Sequence, residues 1–416
     1  MNQQTGNMRV DGERLWSRLM QMAQIGPGIA GGNNRQALTD ADREGRLLFK
    51  SWCEQEGLLP AVDAMGSMFA RRAGTDPDAL PILIGSHLDT QPTGGKFDGV
   101  LGVLAALEVV STLNELGIRT RRPVEVVNWT NEEGSRFAPA MVAAGVYAGV
   151  YTLDWAYART DAEGHTLGGE LERIGFKGEE PVGQRKAHAY FELHIEQGPI
   201  LEEVATDIGI VTHGQGLRWI EVTLTGREAH TGSTPMERRL NASLGAARLI
   251  ERIETIARAH GPLAMGAVGQ ISFAPNSRNI LPGKVVLTAD LRHPELGPLV
   301  SMADAVKQAA REIAAELGIG VSIEEVGAFD PTPFDTGLLA VLREAASELG
   351  YSHRDMVSGA GHDACWVART APAAMIFCPC VDGLSHNEAE DILPAWASNG
   401  ADVLLQAVLR TAEVVD

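Results

Sequence analysis

Apolar residues recur along this chain with two different periods. Residues 41–56 (ADREGRLLFKSWCEQE) show helical spacing, and residues 99–116 (GVLGVLAALEVVSTLNEL) predict a helix too apolar for a surface. PILIGS (81–86), PVEVVNWT (123–130) and AYFELHIEQG (189–198) are short runs that predict strands, rich in apolar and β-branched residues. Strands alternating with helices imply an α/β domain whose mixed sheet is covered by helices. In such sheets, chemistry gathers at the carboxyl ends of strands.

The middle of the chain changes period. RWIEVTLTG (218–226) alternates with period two. Residues 240–259 place Leu244, Ala247, Ile250, Ile253 and Ala257 at helical spacing. Two strands follow, GAVGQISF (266–273) and KVVLTADLR (284–292), then a helix (298–317) and the strand GVSIEEV (320–326). The order β-α-β-β-α-β is the split βαβ arrangement of a ferredoxin-like α+β domain. The first pattern resumes near residue 330, with a strand AAMIFCPC (373–380) and a closing helix (393–413). The expected organisation is a discontinuous domain, 1–211 and 330–416, carrying the chemistry, with an inserted lid and dimerisation domain, 212–329.

Composition narrows the function. The 416 residues are 44% hydrophobic and 21% charged, an ordinary globular balance. Net charge is −19, from 35 Lys and Arg against 54 Asp and Glu. Such a chain repels phosphate backbones and anionic bilayers, so no nucleic-acid or membrane partner is expected. Cys53, Cys365, Cys378 and Cys380 are too few for a disulfide scaffold and imply a reducing, cytoplasmic setting. The start, MNQQTGNMRVDGERLW, lacks the apolar core of a signal peptide, and no apolar run approaches the roughly 20 residues of a membrane span.

One stretch resists a bland reading. GSHLDTQPTGGKFDGVLG (85–102) ends a buried strand with His87 and Asp89, then runs through a glycine-rich loop to Asp98. Its loop fails the phosphate-binding pattern, because Thr90 stands five before Gly95 and Phe97 follows Lys96. Glu132 and Glu133 follow the next strand in NEEGSRF, His194 lies in FELHIEQG, and His386 in GLSHNEAE. Alone, each of these is more often a hydrogen-bonded or solvated residue than a ligand. Together they put imidazoles and carboxylates, without thiolate, at strand ends and in bending loops. That donor set suits zinc, with manganese, cobalt or nickel as alternatives.

SHLDTQPTGGKFDGVLG, NEEGSRF, ELHIEQGPILE, GREAHTGSTPMERRLNA, PNSRNILPG, SGAGHDA and GLSHNEAE, in this order, resemble the hydantoinase/carbamoylase amidases. These include N-carbamoyl-L-amino acid hydrolases, β-ureidopropionases and allantoate amidohydrolases, a branch of the di-zinc aminoacylase and carboxypeptidase clan. The resemblance implies that His87 and His194 hold one metal ion and Glu133 and His386 a second, with Asp98 bridging. Glu132 would be the general base and Asp89 the partner of His87. Arg292 would grip a substrate carboxylate, Gln197 would contact substrate, and Gly359 and Gly361 would offer backbone donors. Asn279 and His230 would support the reacting group, His230 reaching it from a second subunit of a homodimer.

From the residues alone, Arg292 reads more readily as an exposed partner of Asp290 than as a carboxylate grip, and Arg278 competes for that role. His213 and His362 are candidates to support ligands. His165, His188, His260, His293 and His353 have no motif around them, and Cys365 has no base beside it in sequence. The expectation is therefore a metal-dependent amidohydrolase that cleaves the carbamoyl C–N bond of small ureido acids. Hinge closure over substrate is expected near residues 212 and 329. The competing readings are an aminoacylase or exopeptidase, which relatives mark with a carboxylate where His194 stands, and a small-acid binding protein without turnover.

Overall fold

The computed structural model describes residues 7–415 and divides into two compact units. The first comprises Met1–Thr212 with Phe334–Asp416, and the second His213–Pro333.

The first unit is built on a mixed sheet. Its strand order begins Pro60–Val62, Met68–Arg72, Val124–Trp129, Ile82–His87 and continues Ala189–Ile195, Ala373–Cys378, Ile208–Gly214. The four central strands are mutually parallel. Met68–Arg72 and Ile208–Gly214 flank them antiparallel. Every residue of the four parallel strands is buried, so no alternation marks them in the sequence. Parallel pairing brings their carboxyl ends to one edge, where His87 sits opposite Trp129 and Phe377 opposite His194.

The apolar helix Val100–Glu115 covers this sheet, buried from Val100 to Leu113. Gly102 makes the close approach: a Cβ there would lie 2.4 Å from the Leu193 carbonyl and 2.7 Å from the Ser86 side chain. The helix also carries the fully buried Glu108, held by Arg14 at 2.6 Å and Arg18 at 3.4 Å. The helix Pro394–Thr411 packs against the same helix and against the strand Ala373–Cys378.

The second unit is a four-stranded antiparallel sheet, in the order Met265–Ala274, Lys284–His293, Gly216–Thr225, Gly320–Phe329. The helices Ala242–Ala259 and Leu296–Leu317 pack on each other and on the sheet, around Ile220, Val222, Leu224, Leu287 and Leu291. The helix Ala242–Ala259 buries Ala242, Gly245, Ala246, Leu249, Ile253, Ile256 and Ala257, whereas Leu244 and Ile250 are 41% and 40% exposed. Small residues win the core side because they let the helix approach closely. A Cβ on Gly245 would lie 2.9 Å from Ile319 and 3.1 Å from Leu224. The strand Met265–Ala274 lies at the sheet edge with Met265, Ile271 and Phe273 exposed. Among the described residues, no helix is long and apolar enough to cross a membrane.

Candidate metal centre and active site

Five side chains converge at the carboxyl edge of the parallel strands. His87, Asp98 and His194 bring ligand atoms within 4.8 Å of one another, and so do Asp98, Glu133 and His386. Asp98 belongs to both trios and turns a different oxygen to each. Its Oδ1 lies 3.1 Å from His194 Nε2 and 3.7 Å from His87 Nε2, and its Oδ2 lies 3.5 Å from His386 Nε2. Glu133 Oε2 completes the second trio at 3.3 Å from His386 Nε2.

The donor set fits a cation. His87 Nδ1 lies 2.9 Å from the Asp89 carbonyl oxygen and His194 Nδ1 lies 2.9 Å from the Ile195 carbonyl oxygen. A carbonyl only accepts, so each Nδ1 donates, and each Nε2 is the ring nitrogen left facing the cluster. His87 Nε2 is buried with no hydrogen-bond partner. Gly99 borders the same space, at φ 66°, and a Cβ there would sit 2.3 Å from His87 Nε2. Only glycine meets both the left-handed backbone and the contact.

The titration of these groups points the same way. Burial pushes the Asp98 carboxyl up, but the hydrogen bond from His194 and the charges of His194, His87 and His386 outweigh it and hold it below the carboxylate range. Burial pushes His194 down, and Asp98 overrides it, raising the imidazole to about 9. The hydrogen bond to Glu133 is the main cause of raising His386 to about 9. Without a metal, protons neutralise this cluster, and a cation would displace them.

Glu132 stands beside the first trio, its Oε2 3.5 Å from His87 Nε2. Burial is the main cause that raises its carboxyl well above the usual range, with Asp363, Glu133, Asp89 and Asp98 adding negative charge. The chain reaches this place by a tight turn after Trp129, with Asn131 at φ 57° and Gly134 at φ 63°. Asp89 clamps that turn. Its Oδ1 accepts from the Glu132 amide and its Oδ2 from the Glu133 amide, both at 3.2 Å. Asp89 is also the neighbour of His87 that the sequence expects. Its backbone carbonyl orients His87, while its Oδ1 lies 4.0 Å from the ring, because the carboxylate is engaged by the two amides.

Several contributors went unnoticed in the sequence. Gln91 holds Glu133, with its amide side chain 2.7 Å from Oε2 and its backbone N–H 3.1 Å from Oε1. Ser385 Oγ lies 2.7 Å from Asp98 Oδ2, and the buried Glu390 accepts from the Phe97 and Asp98 amides at 2.9 and 3.1 Å. His362, which the sequence did offer as a supporting residue, meets His194 edge to face with ring centroids 4.5 Å apart, its Nε2 2.9 Å from Ser358 Oγ. Glu390 and Ser385 flank His386 in a motif already singled out, but nothing in their spacing says what they touch.

Gln197, at φ 56°, donates its Nε2 to Asp98 Oδ2 at 2.8 Å and to Ser385 at 3.0 Å. Gly359 and Gly361 lie in the loop after the strand His353–Ser358, and Gly361 abuts Met141, whose amide donates to the Glu132 carbonyl at 2.6 Å. The other three candidates lie in the second unit. His230 and Asn279 are neighbours there, because the short strands Ala229–His230 and Ile280–Leu281 pair and the Thr231 amide donates to the Asn279 carbonyl at 2.9 Å. Arg292 pairs with Asp290 through Nε at 3.1 Å and Nη2 at 3.0 Å, while Arg278 is exposed in the loop 275–279. His213 pairs with Pro333 in the sheet.

A parallel-stranded sheet whose edge gathers two carboxylate–imidazole trios around one shared aspartate, beside a buried glutamate, defines a metal-dependent hydrolase. The chain belongs to the peptidase family M20/M25/M40, whose model matches residues 83–410, and this family is metal-dependent. It is 64% identical to an N-carbamoyl-L-amino-acid amidohydrolase of Rhizobium meliloti, over 99% of each chain. It is 35% identical to an allantoate amidohydrolase of Bacillus subtilis, over 89% of this chain and 90% of the other. The crystal structure of a hydantoinase/carbamoylase family amidase from Burkholderia multivorans superposes with a TM-score of 0.93 at 53% identity, covering 97% and 98% of the two chains.

Proposed function

We propose that this chain hydrolyses the carbamoyl C–N bond of N-carbamoyl-L-amino acids, releasing the amino acid, ammonia and carbon dioxide. The observation that carries the reading is Asp98, whose two oxygens serve two ligand trios. His87 and His194 would hold one divalent ion, Glu133 and His386 the other, and Asp98 both. Zinc suits this donor set, with manganese, cobalt or nickel as alternatives. When bound, such ions supply Lewis acidity and activate water near neutral pH.

The chain's own residues supply the rest. Glu132 takes a proton from the attacking water and returns one to the departing nitrogen, work suited to a carboxyl whose burial raises its proton affinity. Asp89 orients Glu132 through the backbone. Arg292 offers a planar fork to the substrate carboxylate, pre-set by Asp290. His230 and Asn279 would steady the reacting carbonyl, Gln197 would contact substrate, and Gly359 and Gly361 would donate amides.

We assign the working form to a homodimer, with His230 contributed across the interface. The exposed Leu244 and Ile250 of one helix and the exposed edge strand Met265–Ala274 packed against it supply an apolar face for a second copy. The four cysteines are free and buried, which suits the reducing cytoplasm.

The test is ammonia release from N-carbamoyl-L-amino acids, allantoate and β-ureidopropionate, with N-acetyl amino acids and dipeptides in parallel. Fastest turnover on the carbamoyl amino acids is expected, lost on chelation and restored by added metal. Turnover confined to N-acetyl amino acids or dipeptides would overturn the reading. Allantoate as the best substrate would keep the chemistry and move the substrate.

A further inference from the structure

We infer that Glu390 is a positioning residue that ties the two halves of the metal centre together. The inference rests on the metal reading above. Glu390 is 1% exposed and touches neither the imidazoles nor Glu133 within hydrogen-bond range among the contacts described. Its carboxylate nevertheless reaches both loops that carry ligands. Oε1 accepts the amides of Phe97 and Asp98, so it fixes the backbone from which the shared aspartate projects. Oε2 lies 3.2 Å from Ser385 Oγ, the residue before His386. The same hydroxyl lies 2.7 Å from Asp98 Oδ2, its one proton serving one carboxylate at a time.

The loop is shaped to receive this carboxylate. A Cβ on Gly95 would lie 1.9 Å from the Glu390 carboxyl carbon and 2.0 Å from Oε1. Gly95 has no positive φ, so its glycine is required by space and not by backbone conformation. The second glycine of GGKFDG thus makes a seat for a residue almost 300 positions later, a count set by the separation of Glu390 from Phe97 and Asp98. Glu390 is also joined to the His386 loop by its own chain, its amide donating to the Asn387 carbonyl at 3.0 Å.

Asp98 is the one ligand common to both trios, and His386 is the one ligand whose side chain is half exposed. The distance between them is therefore the looser dimension of the site, and Glu390 spans it. Groups behind the ligands of a metal site set its affinity by holding those ligands in place, at about 10–100-fold when lost. Glu390→Ala would leave two buried amides unpaired and free the 385–390 loop from the 95–98 loop. Glu390→Gln keeps the accepting oxygen and the volume, and its amide N–H₂ donates to Ser385 Oγ. Gly95→Ala would evict the carboxylate without altering Glu390 itself.

The experiment is metal titration of the purified full chain, wild type and variants, by zinc competition against a chromophoric chelator, with thermal melting of the metal-free forms. Glu390→Ala and Gly95→Ala are expected to weaken the looser of two binding steps by about 10–100-fold. Glu390→Gln is expected to stay within about threefold of wild type, a rescue that a general packing role would not give. Wild-type affinity in Glu390→Ala, or equal losses in Glu390→Ala and Glu390→Gln, overturns the proposal while leaving the metal reading intact. If Glu390→Ala fails to fold, Gly95→Ala decides by the same criterion. A wild-type chain that binds no zinc refutes the metal reading itself, and this inference with it.

Discussion

Gly99 and His87 share one space: a Cβ on Gly99 would fall 2.3 Å from Nε2 and Cε1 of the His87 ring and 2.5 Å from its Cδ2. Gly99 also holds φ at 66° as the residue that opens the buried helix Val100–Glu115. Gly99→Ala therefore meets two penalties, a left-handed backbone and a displaced ligand ring. The strain alone is expected to cost at least about 1 kcal/mol. The larger expected effect is on metal content, because His87 must rotate its inward nitrogen away. Metal analysis of the purified variant checks this. Wild-type metal content with normal turnover would show that His87 Nε2 holds no ion.

Glu132 lies within 3.5 Å of His87 but belongs to neither ligand trio. Glu132→Gln keeps the shape and removes the proton acceptor. The variant is expected to bind metal as wild type does and to lose about 10²–10⁴-fold in turnover number, the usual contribution of a positioned acid–base group. Steady-state kinetics together with metal analysis test it. Retained turnover would exclude Glu132 as the base, and lost metal would make it a ligand instead.

Proton competition sets the pH response of metal uptake. His194 and His386 are both raised to about 9 in the metal-free protein. Their folded-state values lie above the ordinary histidine value, so the stability they contribute is fully present below about pH 6.5 and is lost as pH rises through about 9. Metal uptake has the opposite sign, because each bound ion expels a proton. Apparent zinc affinity is expected to rise steadily between about pH 6 and pH 9, while the metal-free protein melts at lower temperature toward the alkaline end. A flat affinity over that range would separate these histidines from the ions.

Much of the candidate site stood out because its candidate ligands are chemically conspicuous, two of them at or near the ends of buried strands. His87 and His194 stand on runs that the sequence marks as strands, and parallel pairing brings both to one edge. Asp98 was legible from its glycine-rich loop. For Asp89, spacing places it beside His87 without saying whether its carboxylate or its carbonyl does the bonding. Glu390, Ser385 and Gln91 were illegible for a related reason. Their partners are backbone amides and carboxylates far away in sequence, and a carboxylate that binds an amide looks like any solvated one. In the second unit the succession of strands and helices along the chain was legible, while the helix Ala242–Ala259 turns its smaller residues inward. Periodicity alone weights Leu244 and Ile250 over Ala242 and Gly245.

Arg292 is held by Asp290 in a two-point contact, 3.1 Å at Nε and 3.0 Å at Nη2, which orients its fork. Lysine would keep the charge and lose the planar geometry. Arg292→Lys is expected to raise KM for carbamoyl amino acids by about 10–100-fold, in line with about 1.5–3 kcal/mol for a hydrogen bond to a charged group. Amide analogues lacking the carboxylate should be turned over equally by both forms. An unchanged KM would move the carboxylate contact elsewhere, with Arg278 the next residue to test.

The apolar residues on the outer side of the helix Ala242–Ala259 provide the final test. Leu244 and Ile250 are 41% and 40% exposed and contribute little to the buried core of their own unit, which runs through Leu249 and Ile253. Charges placed there should therefore leave the fold intact, as most exposed substitutions do. If the face binds a second copy, Leu244→Glu with Ile250→Glu desolvates two carboxylates in the contact and should convert a dimer to a monomer in light scattering. If His230 acts across that contact, turnover should fall together with the dimer while metal content and melting of the metal-free chain stay unchanged. A dimer that survives both charges would remove this face from the interface. A monomer with full turnover would place every working group within one chain.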